Sequence, residues 1–121
     1  MISYRLARAD EVLQEVDLHI KNGLWITAVN RLYYACFYAV TALLVSKGFE
    51  ARTHAGVRLL LGQQFIKTGI ISHKSGKTYN TLFVMRQSGD YDDFVDIKKD
   101  DVIGLQDPSK NLIKEIKEII L

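Results

Sequence analysis

Apolar residues along this chain recur three and four positions apart, and they nowhere alternate with polar ones over the length of a strand. The pattern therefore predicts helices from end to end. In the first, Leu6, Ala9, Leu13, Val16 and Ile20 share a face, with Ser3 placed to cap its start and Gly23 to end it. A second runs from about Leu24 to Lys47 and is closed by Gly48; it is apolar nearly all round, as expected of a central helix packed on most sides. Thr53 can cap a third, whose face carries Val57, Leu60, Leu61 and Phe65 and which ends at Lys67-Thr68-Gly69, with Gly56 and Gly62 weakening it. A fourth carries Tyr79, Leu82, Phe83 and Arg86 and stops near Gly89, ahead of an acidic loop, Asp90-Tyr91-Asp92-Asp93, and Phe94. The last is capped by Asp100 or Asp101 and buries Leu112, Ile113, Ile116, Ile119 and Ile120; Pro108, lacking an N–H and colliding with the preceding turn, is expected to kink or split it. The predicted fold is all-α, an antiparallel helical bundle of about five helices forming one domain over residues 1–121.

Length and charge narrow the picture only slightly. A chain of 121 residues can bury one real core but not two. Sixteen basic against fourteen acidic residues leave +2, a balance that neither demands nor excludes an anionic partner. The single Cys36 rules out an intrachain disulfide and, in its apolar setting, reads as a buried thiol. Arg5, Arg8, Asp10 and Glu11 fall where a signal core would lie, and the charge-free stretch Leu32 to Ser46 is shorter than the roughly 20 residues of a membrane span. No membrane contact and a cytoplasmic location are the expectations.

On a helical wheel, the second helix places Trp25, Val29, Leu32, Cys36, Val40 and Leu43 on one side and Thr27, Asn30, Arg31, Tyr34, Tyr38 and Thr41 on the other. The spine thus carries a polar seam. Arg31 is its one charge, and if covered it needs a partner, expected to be a carboxylate of the Asp90–Asp93 turn. Tyr33, Tyr34 and Tyr38 suit core filling, subunit contact or base stacking. His19, His54 and His73 lie on separate segments at no metal-binding spacing, and Asp90, Asp92 and Asp93 read as turn residues, so no metal and no cofactor are expected. No glycine-rich phosphate loop or nucleophile elbow occurs.

Three segments carry a resemblance. The run Asn30-Arg31-Leu32-Tyr33-Tyr34-Ala35-Cys36-Phe37-Tyr38-Ala39, then Thr53-His54-Ala55-Gly56-Val57, then Arg86-Gln87-Ser88-Gly89-Asp90-Tyr91 resembles the HEPN family, the higher eukaryotes and prokaryotes nucleotide-binding domain, in that family's order. The resemblance implies an all-α bundle, usually a homodimer, found in bacteria and archaea beside a minimal nucleotidyltransferase as a two-component or toxin–antitoxin-like pair. Many such proteins are metal-independent ribonucleases built on an arginine, four to six intervening residues and then a histidine, at the dimer interface. This sequence departs from that pattern: Arg52 precedes His54 by two positions, and Arg86 is followed after four residues by Tyr91. A phenol titrating near pH ~10 replaces poorly the imidazole that acid–base cleavage wants.

The resemblance and the seam together predict a non-catalytic HEPN module that dimerises and acts with a nucleotidyltransferase, or binds nucleotide or RNA, through Asn30, Arg31, Tyr34, Tyr38, Arg86, Asp90 and Tyr91. The rival is an RNA endonuclease with a diverged site, in which Arg86 stabilises phosphorane charge and Tyr91 or His54 stands in for the missing histidine. A purely structural helical adaptor would use the same residues as ion pairs and packing. The homodimer contact is expected on the second and last helices, which look too apolar for one bundle to cover.

Overall fold

The computed structural model describes residues 1–91 and 96–121, the side chains of residues 88–91 excepted. Five α-helices form the bundle: α1 (Ile2–Lys21), α2 (Trp25–Ser46), α3 (His54–Leu61), α4 (His73–Tyr91) and α5 (Lys99–Ile120), with a π-helical turn, Gly62–Ile66, continuing α3. No strand occurs among the described residues.

α2 is the spine. Leu32, Tyr33, Cys36, Val40 and Leu43 are fully buried on it, between Val12 and Val16 of α1, Tyr79 and Leu82 of α4, and Leu112 and Ile116 of α5. Each aliphatic side chain enclosed in this way contributes about 1.5–3 kcal/mol. α2 has the length and apolar composition to cross a membrane, longer than the charge-free stretch implies, but 67% of its most apolar window is buried inside the bundle. It behaves as the core helix of a folded domain. The same burial leaves little apolar surface on α2 for a second subunit: apart from its first residues, Val45 is its one strongly exposed aliphatic side chain.

α1 and α2 form a hairpin whose turn needs Gly23, with φ of 71°, a conformation side-chain-bearing residues rarely adopt. Polar ties hold α5 across the other helices. Lys117 Nζ lies 2.8 Å from Asp10 on α1, and Gln106 donates to Asp17 at 3.0 Å. The Glu115 carboxylate accepts from the Ser72 N–H at 3.0 Å, from the Ser72 hydroxyl and from the Ser75 hydroxyl, and so occupies the positive end of α4.

Helix ends follow the sequence in part. Thr53 caps α3, its hydroxyl accepting the Gly56 N–H at 2.9 Å. Ser3 does not cap α1, which begins two residues earlier than that cap would place it, at Ile2 after Met1. Neither Asp100 nor Asp101 is the cap of α5; Lys98 takes that position, and Asp101, three residues on, accepts the Lys98 N–H at 3.0 Å. An acidic side chain in the first turn serves the dipole from either place. α4 runs past Gly89 to Tyr91, so Asp90 and Tyr91 end a helix instead of opening a loop. Asp92, Asp93 and Phe94 lie outside the described residues. α5 passes Pro108 without splitting. The proline forfeits one backbone bond, and next to it the Ser109 hydroxyl donates to the Leu105 carbonyl at 2.6 Å.

The expected third helix is the least regular element. After Leu61 the ladder widens, the Lys67 N–H reaching the Gly62 carbonyl at 2.9 Å. α4 packs tightly on this turn because Gly76 faces Ile66: a Cβ at Gly76 would stand 2.6 Å from Ile66 Cδ1.

Candidate functional site

The polar seam of α2 faces outward, half-covered by α1 on one flank and by α3 and α4 on the other. Tyr33 and Tyr34, adjacent on the spine, diverge: Tyr33 is 0% exposed and points into the core, whereas Tyr34 is only partly covered. Their rings meet edge to face at 5.3 Å. His54, the first residue of α3, comes to both. Its Nδ1 shares a hydrogen bond of 2.7 Å with the Tyr33 hydroxyl, and its ring stacks on Phe37 at 4.3 Å. Capping by Thr53 sets where α3 begins and so sets this ring.

Arg86 arrives from α4. Its Nη2 donates to the Tyr34 hydroxyl at 3.0 Å, and its guanidinium lies 5.5 Å from the centroids of both Tyr33 and Tyr34. Arg31, one turn before Tyr34, lies 5.4 Å from the same Tyr34 ring. Two cations therefore lie close to one phenol ring. Because that hydroxyl oxygen accepts from Arg86, its own proton is left to give to an acceptor.

Arg31 donates to Asn30 Oδ1 at 3.2 Å and pairs with Glu15 of α1 at 3.7 Å. Its side chain keeps 29% exposure, so the expectation of a covered charge gives way to a half-open one. The predicted partner, a carboxylate of Asp90–Asp93, lies outside the described side chains. Tyr38 extends the seam toward the end of α2 and has Arg8 of α1 at 5.9 Å over its ring. Asn30, Arg31, Tyr34 and Arg86 thus form one contiguous group, His54 joins it through Tyr33, and Tyr38 lies beside it. The placement of the Asp90 and Tyr91 side chains is not described. Arg8 and Glu15, absent from the residues picked out of the sequence, belong to the surroundings of the seam.

The electrostatics follow from the geometry. Burial, and then the charge of Arg86, hold the His54 imidazole below its ordinary value of 6.5. Burial raises the Tyr33 and Tyr79 phenols, so both stay protonated. Cys36 is pushed up to about 12 by complete burial, which makes it an inert thiol as expected. Among the described residues no three of His, Cys, Asp and Glu gather as a metal would require. What this arrangement offers an anionic oxygen, such as that of a phosphate, is the Arg86 guanidinium and the Tyr34 hydroxyl, with Arg31 close to the same ring.

The His54 shift carries a pH prediction. The unfolded chain takes up this proton near pH ~6.5, and the folded protein takes it up less readily, so folding is weakened by protonation. The contribution is complete above about pH 6.5 and is lost as pH falls toward the folded value. Urea midpoints measured on either side of that range should fall less in His54→Gln than in the parent; equal falls would contradict the assignment.

A family model described as HEPN domain matches residues 2–120. The chain is 38% identical to a UPF0332 protein of Thermotoga maritima, over 97% of this chain and 94% of that protein. It is 28% identical to a protein of Methanocaldococcus jannaschii named "Putative toxin MJ0142", over 96% of this chain and 79% of that one. A UPF0332 protein of Archaeoglobus fulgidus is 23% identical over 98% of this chain and 94% of its own length.

Proposed function

The chain belongs to the HEPN family, and on that premise we propose that it is a toxin-like module that holds RNA or a nucleotide by its phosphate at the Tyr34–Arg86 cluster without cleaving it. It does so in the cytoplasm, as a homodimer that works with a partner protein of the minimal nucleotidyltransferase kind. The observation that carries the binding half is the pair of cations, Arg31 and Arg86, both within 5.5 Å of the Tyr34 ring centroid. Similarity to toxin-named proteins supports the role in a paired system. The non-catalytic half rests on the missing arginine-to-histidine spacing: Arg86 is followed after four residues by Tyr91, whose phenol replaces an imidazole poorly in acid–base cleavage.

Binding of a short single-stranded RNA over a range of salt tests the phosphate role. Affinity should fall steadily as salt rises, because neutralised phosphates release counterions. Affinity that is absent at low salt, or indifferent to salt, would remove that role. For the homodimer, α5 offers exposed Ile103 with Ile119 and Ile120 half-covered near its end. Sedimentation at micromolar concentration should give twice the chain mass, and a monomer mass would contradict it.

One observation favours the nuclease reading. Arg86 and His54, separated in the chain, converge on the same two tyrosines. An arginine and a histidine are thereby brought to one place from two helices, without the linear spacing. RNA cut in the absence of metal would make this the correct account.

A further inference from the structure

The charges of this protein are segregated along the chain. Residues 51–87, which comprise α3, the π-helical turn and most of α4, contain six of the 16 basic residues and none of the 14 acidic ones. The remainder, with ten basic against fourteen acidic, is net negative. The acid-free part is also where a groove opens, between α3 with its π-helical turn on one side and α4 on the other.

The groove has an apolar line and a cationic margin. Leu59 stands 58% exposed on α3 and Val84 52% exposed on α4, each facing solvent from helices that bury Val57, Leu61, Tyr79, Leu82 and Phe83. Ile66 and Asn80 stand where its two halves meet, and Gly62 leaves the floor of one half open, since a Cβ there would meet nothing within 4 Å. Arg58 and Lys67 line it at one end and Lys77 at the other, and no acidic side chain lines it among the described residues.

We propose that this groove is the docking surface for an acidic amphipathic helix of a partner protein, with the partner's apolar stripe seated against Leu59, Ile66 and Val84 and its carboxylates facing Arg58, Lys67 and Lys77. The cations favour a negative partner by charge complementarity. The character of the apolar residues decides which one. Nucleic-acid bases stack best on aromatic faces along the groove; of the two ring-bearing lining residues, Phe83 is 4% exposed with the Arg58 guanidinium over its ring at 4.6 Å, and His73 stands at the Lys77 end, away from Leu59, so no continuous stacking platform is offered. Exposed aliphatic side chains in a helix-lined groove fit the apolar ridge of another helix instead. The groove uses none of the residues that hold phosphate in the reading above, so the two stand or fall separately.

The test uses the whole protein and a designed helical peptide with leucines at helical spacing on one face and glutamates elsewhere, beside the same peptide carrying lysines for glutamates, and a short oligouridylate. The acidic peptide should bind at physiological salt and the basic one should not. Lys67→Glu/Lys77→Glu, two exposed changes, should weaken acidic-peptide binding at least about tenfold by reversing two charges, and Leu59→Ser/Val84→Ser should weaken it comparably, while Arg86→Ala leaves it unchanged. Failure of the acidic peptide to bind, or binding indifferent to both double variants, overturns the proposal. So does oligouridylate binding that is lost with Lys67→Glu/Lys77→Glu when the acidic peptide does not bind, which would make the groove an RNA surface.

Discussion

Tyr33→Ala lowers the unfolding free energy by about 3–5 kcal/mol, the range for removing a large aromatic side chain from a closed core. Tyr33 is fully buried and touches α2, α3 and α4 where they meet at the site: Phe37 on α2 at 5.9 Å, His54 on α3 at 5.7 Å, and Tyr79 and Phe83 on α4 at 5.8 and 6.1 Å between ring centroids. Alanine leaves a void that none of these rings can fill without leaving another. Tyr33→Phe keeps the ring and removes only the hydroxyl, so it should cost about 1 kcal/mol for the lost hydrogen bond to His54. Denaturant midpoints of the two variants separate packing from hydrogen bonding. Equal losses would mean that the hydroxyl, and not the ring, carries the stability.

The second large effect is on binding. Arg86→Ala should weaken the affinity for single-stranded RNA about 10- to 100-fold, which corresponds to the roughly 1.5–3 kcal/mol of a hydrogen bond to a charged group. The variant loses both the cation beside Tyr34 and the bond that fixes the Tyr34 hydroxyl. Arg86→Lys returns the charge without the planar fork, and should recover only part of the affinity. Arg31→Ala should weaken the affinity less than Arg86→Ala, because Glu15 already offsets part of its charge, and should cost only about 1 kcal/mol or less of stability, since that pair is partly open to water on both sides. A fluorescence titration at fixed salt orders the three, and an Arg86→Ala affinity equal to the parent's would remove Arg86 from the site.

The helices and the seam were legible in the sequence because both depend on local periodicity. Leu32, Cys36, Val40 and Leu43 fall inside, and Asn30, Arg31, Tyr34 and Tyr38 are less covered, as the wheel requires. What covers the seam was not legible. Glu15 and Arg8 reach Arg31 and Tyr38 through the register of α1 on α2, and no spacing within either helix encodes that register. The convergence of His54 with Arg86 was hidden for a related reason. A motif search along the chain looks for two side chains on one helix, whereas these come from the start of α3 and the middle of α4. The π-helical turn left no apolar signature either, since Phe65 is buried as an α-helical continuation would also bury it.

The proposed function is the holding of RNA without cutting it. The most direct measurement is to incubate end-labelled single-stranded RNA with excess protein in chelator at pH 7 and follow both the bound fraction and the length of the RNA. The account predicts RNA that is bound in a salt-sensitive, Arg86-dependent way and remains full length. Metal-free cleavage that disappears in both Arg86→Ala and His54→Ala would contradict it and make the paired arginine and histidine a catalytic site.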